Sequence, residues 1–174
     1  MSSPLRVAVV MGVSGSGKTT LALALAQAWD ATFLDADDFH SAEARARMAS
    51  GQPLTDAMRV PWVERIAAEL QRRVAAGERV TLAFSGLRRC HRDLLRAAGL
   101  PLHFLFLQGD AALIGERMGQ RSGHYMPVSL LDSQFATLEP PLDEADVTPV
   151  AVALEPQAQL QAALQAIGAA RAVG

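Results

Sequence analysis

Eight consecutive residues near the N-terminus have the spacing of a phosphate-binding loop. Gly12-Val-Ser-Gly-Ser-Gly-Lys18-Thr19 matches the pattern G-x-x-x-x-G-K-[ST]. The glycines of this pattern let backbone N–H groups surround phosphate oxygens, the lysine reaches the outer phosphates, and the hydroxyl binds Mg²⁺. The alternative is a glycine-rich turn with an accidental lysine, which is disfavoured because Lys18 is the only lysine among 16 basic residues. The residues expected to contact a nucleotide here are Gly12, Ser14, Gly15, Ser16, Gly17, Lys18, Thr19 and Thr20.

Three carboxylates form the segment Asp35-Ala-Asp37-Asp38 after a short apolar run. Clustered carboxylates repel one another and are retained more readily where a cation or a substrate hydroxyl compensates their charge. In a kinase one such aspartate can hold the metal through water while another accepts the proton of the attacking hydroxyl. The alternative is a solvated, acidic turn that caps a helix. The position after the second predicted strand favours the functional interpretation.

Two groups of arginines are candidates for binding anions. Arg117 and Arg121 lie four residues apart before Ser122-Gly-His-Tyr-Met-Pro127, the composition expected of a lid that brings guanidinium groups to a phosphoryl group. A solvated helix end is the alternative for both. The second group, Arg88, Arg89, Arg92 and Arg96, follows the third predicted strand, and three of its members share one helix face. Such a run is usually a solvated face, so we expect one or two of them to contact a ligand.

The elements that position these residues alternate between strand and helix. Apolar runs predict strands at 5–11, 32–34, 79–84, 102–107 and 147–154, and helical patterns fill the intervals. Proline is tolerated in a first helical turn, so Pro61 is expected to open the helix that ends at Gly77. This alternation predicts one three-layer α/β/α domain over residues 1–174, with a mostly parallel five-stranded sheet and ligands at the carboxyl ends of its strands.

Composition excludes several other classes of protein. The chain has 174 residues, a net charge of −2 and one cysteine, which argues against a dedicated nucleic-acid binder, a disulfide framework and a cysteine-based zinc site. No apolar segment approaches the roughly 20 residues that a membrane helix requires, and no export signal precedes the first strand. We therefore expect a soluble, cytoplasmic protein.

With these residues assembled, the chain resembles the gluconokinase family, small P-loop carbohydrate kinases related in architecture to shikimate and nucleoside monophosphate kinases. The resemblance extends to about Pro141 and includes several blocks besides the phosphate-binding loop. These are Leu34-Asp-Ala-Asp-Asp-Phe-His40, residues 48–56 with Arg59-Val-Pro-Trp62, residues 85–89 with 92–96, and residues 121–127 continuing through Ser133-Gln-Phe135 to Leu138-Glu139. It implies a homodimer that phosphorylates the 6-hydroxyl of D-gluconate with ATP and Mg²⁺.

The resemblance also implies roles for individual residues. Lys18 and Asp37 are catalytic, with Asp37 as the base or the residue that orients the acceptor hydroxyl. Thr19 and Asp35 bind Mg²⁺. Arg117 and Arg121 serve a lid at about 121–127, with Arg117 on the nucleotide and Arg121 catalytic. The candidates around the substrate are Asp37, His40, Arg59, Arg89, Arg92 and His124.

Three positions on the substrate side depart from the family pattern. Ala44 replaces an asparagine, Met58 an acidic residue and His91 a tyrosine, and each change loses or alters a hydrogen-bonding group. Because unpaired polar groups discriminate among substrates, two alternatives stay open. One is a kinase for another sugar acid or for shikimate, and the other is an ATP-binding regulatory protein.

Overall fold

The computed structural model describes residues 3–119 and 128–172. Its strands and helices alternate along the chain, and a short 3₁₀ helix at Ala36–Phe39 follows the second strand. The elements are β1 (Val7–Met11), α1 (Lys18–Trp29), β2 (Thr32–Asp35), α2 (Ala42–Ala49), α3 (Asp56–Ala75), β3 (Val80–Ala83), α4 (Arg89–Arg96), β4 (Leu102–Gln108), α5 (Ala111–Gly119), α6 (Val128–Thr137), β5 (Val147–Ala151) and α7 (Pro156–Ala172).

The five strands found in the described part of the chain form one sheet in the order β2-β3-β1-β4-β5, and every pairing between them is parallel. In the centre, Val7 of β1 lies opposite Val80 of β3 and Leu102 of β4. All five residues of β1 are buried, as expected of a parallel strand covered on both faces. Pro149 is accommodated because β5 is an edge strand, where a missing N–H costs no ladder bond. The α/β fold class predicted from the sequence is confirmed.

Helices cover both faces of the sheet, and the period-2 alternation of strand side chains divides the core between them. Val7, Val9 and Met11 pack against α3 and α4 on one face. Ala8 and Val10 pack on the other face in the cluster that also contains residues of α1, α5, α6 and α7. Within the described ranges, no helix is long and apolar enough to cross a membrane.

The parallel order brings the chemistry-bearing segments to one edge of the sheet. The phosphate-binding loop follows β1, the acidic segment follows β2, and the arginine segment follows β3. Because β3 lies between β1 and β2, all three segments emerge from neighbouring carboxyl ends, where ligands of such folds bind.

Helix α3 begins earlier than the sequence pattern predicted. The prediction that Pro61 opens this helix is wrong, because Thr55 is the N-cap and its side chain accepts a hydrogen bond from the N–H of Met58. Pro61 is therefore the sixth residue of the helix, beyond the positions whose N–H groups lack helical partners. The early start adds more than one turn and carries Asp56 and Arg59 to the edge of the sheet that holds the site.

Candidate active site

The phosphate-binding loop has the backbone conformation that its glycines permit. Gly15 and Gly17 have φ values of +78° and +99°, in the left-handed region that residues with a Cβ rarely adopt. The hydroxyl of Ser16 donates to a carbonyl of the same loop at 2.7 Å, which closes the turn. The loop leads directly into α1, whose first turn exposes Thr19 and Thr20. The backbone therefore presents the N-terminus of a helix at the end of the central strand, the arrangement that binds phosphate.

Lys18 lies across this loop and next to the acidic segment. Its Nζ donates to the carbonyl oxygens of Gly12 and Val13, both at 3.0 Å. Burial lowers the pKa of Lys18 to about 8, while the charges of Asp37 and Asp35 act in the opposite direction. The structure thus brings the loop lysine and the two predicted carboxylates into one electrostatic site.

Asp35 and Asp37 differ in exposure although they are two residues apart. The Oδ1 atom of Asp35 accepts a hydrogen bond from the N–H of Asp37 at 2.9 Å and caps the 3₁₀ helix. Burial raises the pKa of Asp35, with the neighbouring carboxylates adding to the effect and the backbone hydrogen bond opposing it. The side chain of Asp37 is 84% exposed, so its carboxylate is accessible to a small molecule.

Trp62 of α3 contacts the acidic segment and the histidine that follows it. Its indole N–H donates to the carbonyl of Ala36 at 2.7 Å in a buried position. The ring of His40 stacks on the indole with centroids 4.3 Å apart and planes inclined by 15°. One turn further along α3, Arg65 donates to the carbonyl of Phe39 at 2.9 Å. Trp62 thereby ties α3 to the backbone that carries Asp37.

His40 lies next to Asp37, the predicted base. Its Nε2 atom lies 3.6 Å from Oδ1 of Asp37, and its side chain is only 5% exposed. Burial lowers the pKa of His40, with the positive charges of Arg45 and Arg65 acting in the same direction and Asp37 opposing them. His40 is therefore a buried neighbour of Asp37 that is stacked on Trp62, and its neutral form is favoured.

A second charged cluster lies where α3 begins. Asp56 accepts a hydrogen bond from Nη1 of Arg88, and its Oδ1 atom lies 3.5 Å from Arg59 and 3.7 Å from Nε2 of His91. His91 is buried, and burial together with the charge of Arg59 lowers its pKa. Its Nε2 atom has no hydrogen-bond partner among the residues that the structure describes. Asp56 therefore gathers two arginines and a neutral histidine into one group.

Arg89 is the most accessible arginine of the segment after β3. Its side chain is 54% exposed, and its guanidinium lies 3.7 Å from Asp143 and 4.0 Å from Asp93. Its backbone N–H donates to Oε2 of Glu139 at 3.0 Å, so Glu139 pairs one of the N–H groups that the N-terminus of α4 leaves free. The guanidinium remains accessible to an anionic ligand.

Arg92 is placed differently from the sequence-based expectation that it contacts the substrate. Its side chain is 1% exposed and forms two hydrogen bonds with Glu144, at 3.0 and 2.6 Å. The remaining N–H groups donate to the carbonyls of Gly86, Leu87 and Glu139, so all five donors of the guanidinium have acceptors. We correct the expectation: Arg92 holds the loop after β3 in place and has no donor left for a ligand.

Gln134 contacts the phosphate-binding loop and was not among the candidates from sequence. Its Oε1 atom accepts from the N–H of Ser14 at 2.6 Å, and its Nε2 atom donates to the hydroxyl of Ser14 at 3.0 Å. The only signal for it in the sequence was its membership in the block Ser133-Gln-Phe135, which carries no spacing rule of its own.

The residues predicted to serve a lid are only partly covered by the structure. Arg117 lies on α5, where it is half-buried and its Nη2 atom is 3.4 Å from the carbonyl of Ala153. Arg121 and His124, with the rest of the predicted lid at 121–127, lie outside the described residues. Their roles stay predictions.

Comparisons with known proteins agree with this geometry. An AAA domain family model matches residues 7–141. Over 156 residues the chain is 41% identical to a gluconokinase from Gluconobacter oxydans, covering 90% of this chain and 88% of the relative. A gluconokinase crystal structure from Sinorhizobium meliloti superimposes with a TM-score of 0.90 at 38% identity, covering 98% of this chain and 95% of that one. Shikimate kinase from Acinetobacter baumannii, with a TM-score of 0.57 at 18% identity and coverage of 92% and 90%, shares the fold. A phosphate-binding loop facing Asp35 and Asp37, on a chain this similar to such enzymes, places the protein in the gluconokinase family.

Proposed function

We propose that the protein transfers the γ-phosphoryl group of ATP to the 6-hydroxyl of D-gluconate, giving 6-phosphogluconate and ADP. One observation carries this proposal: Lys18 of the phosphate-binding loop lies within the electrostatic influence of Asp37, and the carboxylate of Asp37 is exposed at the same site. The family to which the chain belongs supports the choice of substrate.

In this proposal the loop N–H groups and Lys18 bind the phosphate chain. Burial lowers the pKa of Lys18 to about 8, and the approach of phosphate charges raises it again, so the ammonium is retained at neutral pH. Asp37 orients the acceptor hydroxyl and takes its proton as the new O–P bond forms and the bond to the ADP oxygen breaks. Proton transfer by a positioned side chain typically contributes a factor of roughly 10² to 10⁴ to the rate.

Thr19 and Asp35 fit the requirements of a magnesium site. Thr19 is an exposed residue in the first turn of α1, and the carboxylate of Asp35 contributes to the electrostatic field at Lys18. Mg²⁺ supplies positive charge to the phosphate oxygens and is usually held by few protein ligands and several waters.

The acceptor side is the less constrained half of the site. Arg59, Arg88 and Arg89 are candidates for the carboxylate of the sugar acid, because the side chain of each is partly exposed. A second acceptor, another sugar acid, is favoured by His91, which is buried beside Asp56 where the family pattern has a tyrosine. Its neutral imidazole offers an accepting nitrogen in place of a phenol hydroxyl.

The test is an ADP-release assay of the purified protein with Mg·ATP and a panel of D-gluconate, other aldonic acids and shikimate. We expect turnover that depends on gluconate, and its loss in Lys18→Ala and Asp37→Asn. Asp38→Asn is the matched control, because Asp38 is an exposed neighbour outside the proposed machinery. Release of ADP only with another acid would assign the acceptor to that compound, and release with none would refute the kinase proposal.

We also infer from the family that the chain acts as a homodimer and, because ATP is its phosphate donor, in the cytoplasm. Light scattering coupled to size-exclusion chromatography distinguishes a mass near 37 kDa, twice the 18.5 kDa of one chain, from that of a monomer.

A further inference from the structure

The two helices that border residues 120–127 both contact the phosphate-binding loop, and they do so at adjacent residues. On α5, the side chain of Met118 fills the space that a Cβ at Gly15 would occupy. On α6, Gln134 is hydrogen-bonded to Ser14. Ser14 and Gly15 are the third and fourth residues of the loop motif, so the middle of the loop is held from outside by two helices that come late in the chain.

The contact between Gln134 and Ser14 uses both ends of the amide. Its oxygen accepts the backbone N–H of Ser14 at 2.6 Å, and its nitrogen donates to the hydroxyl at 3.0 Å. These two opposite bonds fix which way the amide faces. A leucine at this position loses both bonds, and an asparagine is one methylene shorter and is not expected to make both.

We propose that Gln134 is a positioning residue for nucleotide binding, which fixes the middle of the phosphate-binding loop through Ser14. Phosphate recognition in such loops depends on backbone N–H groups held in one orientation before the ligand arrives. The N–H of Ser14 is oriented by Gln134, and the N–H groups that follow it in the chain take their direction from that residue. Preorganisation of this kind increases affinity because the loop does not have to be ordered on binding.

This inference rests on the nucleotide site of the proposed function and not on the identity of the acceptor. The test therefore measures binding of Mg·ADP and of a non-hydrolysable ATP analogue by calorimetry on the full-length protein, without acceptor. Failure of the gluconate assay with normal nucleotide binding would refute the proposed function and leave this inference standing.

In Gln134→Leu we expect the dissociation constants of both nucleotides to rise about tenfold, which corresponds to about 1.4 kcal/mol. Gln134→Glu separates orientation from charge. A carboxylate accepts from both the N–H and the hydroxyl of Ser14, so the loop stays held, but its negative charge opposes the phosphates. We expect Gln134→Glu to weaken the triphosphate analogue more than ADP, and Gln134→Leu to weaken the two equally.

Asp132→Asn is the matched control on α6, because Asp132 is exposed two residues away on the same helix. It is expected to bind both nucleotides as the wild type does. Thermal unfolding of every variant separates loss of fold from loss of binding, and Gln134→Asn provides a milder change should Gln134→Leu fail to fold. Wild-type affinity for both nucleotides in folded Gln134→Leu, or in Gln134→Asn where that variant alone folds, would overturn the proposal.

Discussion

Replacing Glu144 with glutamine is expected to lower the free energy of unfolding by about 3 kcal/mol. Glu144 accepts two hydrogen bonds from Arg92 and one from Arg96, at 3.0, 2.6 and 2.6 Å, and its side chain is 3% exposed. Removing one partner of a buried ion pair costs roughly 3–5 kcal/mol, because the remaining charge is left in a medium of low polarity. Glutamine keeps one accepting oxygen, which places the expected loss at the lower end of that range.

Thermal and denaturant unfolding measure this effect. A loss of about 3 kcal/mol lowers the melting temperature of a chain of this size by about 6–12 °C. The matched control is Glu155→Gln, since Glu155 is exposed and removal of its charge is expected to change stability by less than about 0.5 kcal/mol.

The same variant decides between two roles for Arg92. If Arg92 is an anchor of the loop after β3, Glu144→Gln destabilises the protein, and its effect on activity follows from that loss of stability. An unchanged melting temperature combined with a raised KM for the acceptor would refute the reasoning and would indicate that Arg92 binds the substrate.

Three further outcomes follow from contacts in the structure. The hydrogen bond from Arg92 holds the pKa of Glu144 at about 2, below its ordinary value of 4.5. The contribution of Glu144 to the free energy of unfolding is therefore complete above about pH 4.5 and is lost as the pH falls toward 2. Denaturant titrations from pH 7 to pH 3 should show this loss in the wild type and a weaker pH dependence in Glu144→Gln. Trp62→Phe leaves the buried carbonyl of Ala36 without its donor and should lower the free energy of unfolding by about 2 kcal/mol. Because the acidic segment loses its anchor, kcat should fall by a larger factor than that by which the KM for ATP changes. Thr55→Ala removes the N-cap of α3 and should cost about 1 kcal/mol by denaturant unfolding, whereas a helix that began at Pro61 would be indifferent to the change.

The parts of the fold that the sequence predicts well are those fixed by local pattern. Strand β1 is a short buried run, the loop after it has a defined spacing, and Gly51, Gly77 and Gly99 have the positive φ expected at the ends of helices. The start of α3 was predicted from Pro61 alone, and a proline tolerated in a first turn does not exclude an earlier start. The side chain of Thr55 caps the helix six residues before that proline.

Residues of the site were predicted where a single segment carries the chemistry and missed where distant segments meet. Lys18 and the aspartates belong to two short motifs, and the parallel order of strands is enough to bring them together. Gln134 contacts Ser14 across 120 residues of chain, and no periodicity connects the two. A contact of this kind depends on how α6 returns to the loop, which one sequence does not specify.

The arginines after β3 also depend on contacts between distant segments, in this case on ion pairs. Arg92 and Arg96 lie four residues apart on α4, whereas Arg88 is the N-cap of this helix. Neither a solvated face nor a substrate-binding face describes Arg92 and Arg96. The acidic residues Glu144 and Asp146, which follow α6, cover this face and bind both guanidinium groups. Because buried arginines are stable only when their donors are paired, this cover determines which arginines remain available for an anion. Arg92 and Arg96 thereby stabilise the fold, and the more exposed Arg88 and Arg89 are the arginines of this segment that we propose for the substrate.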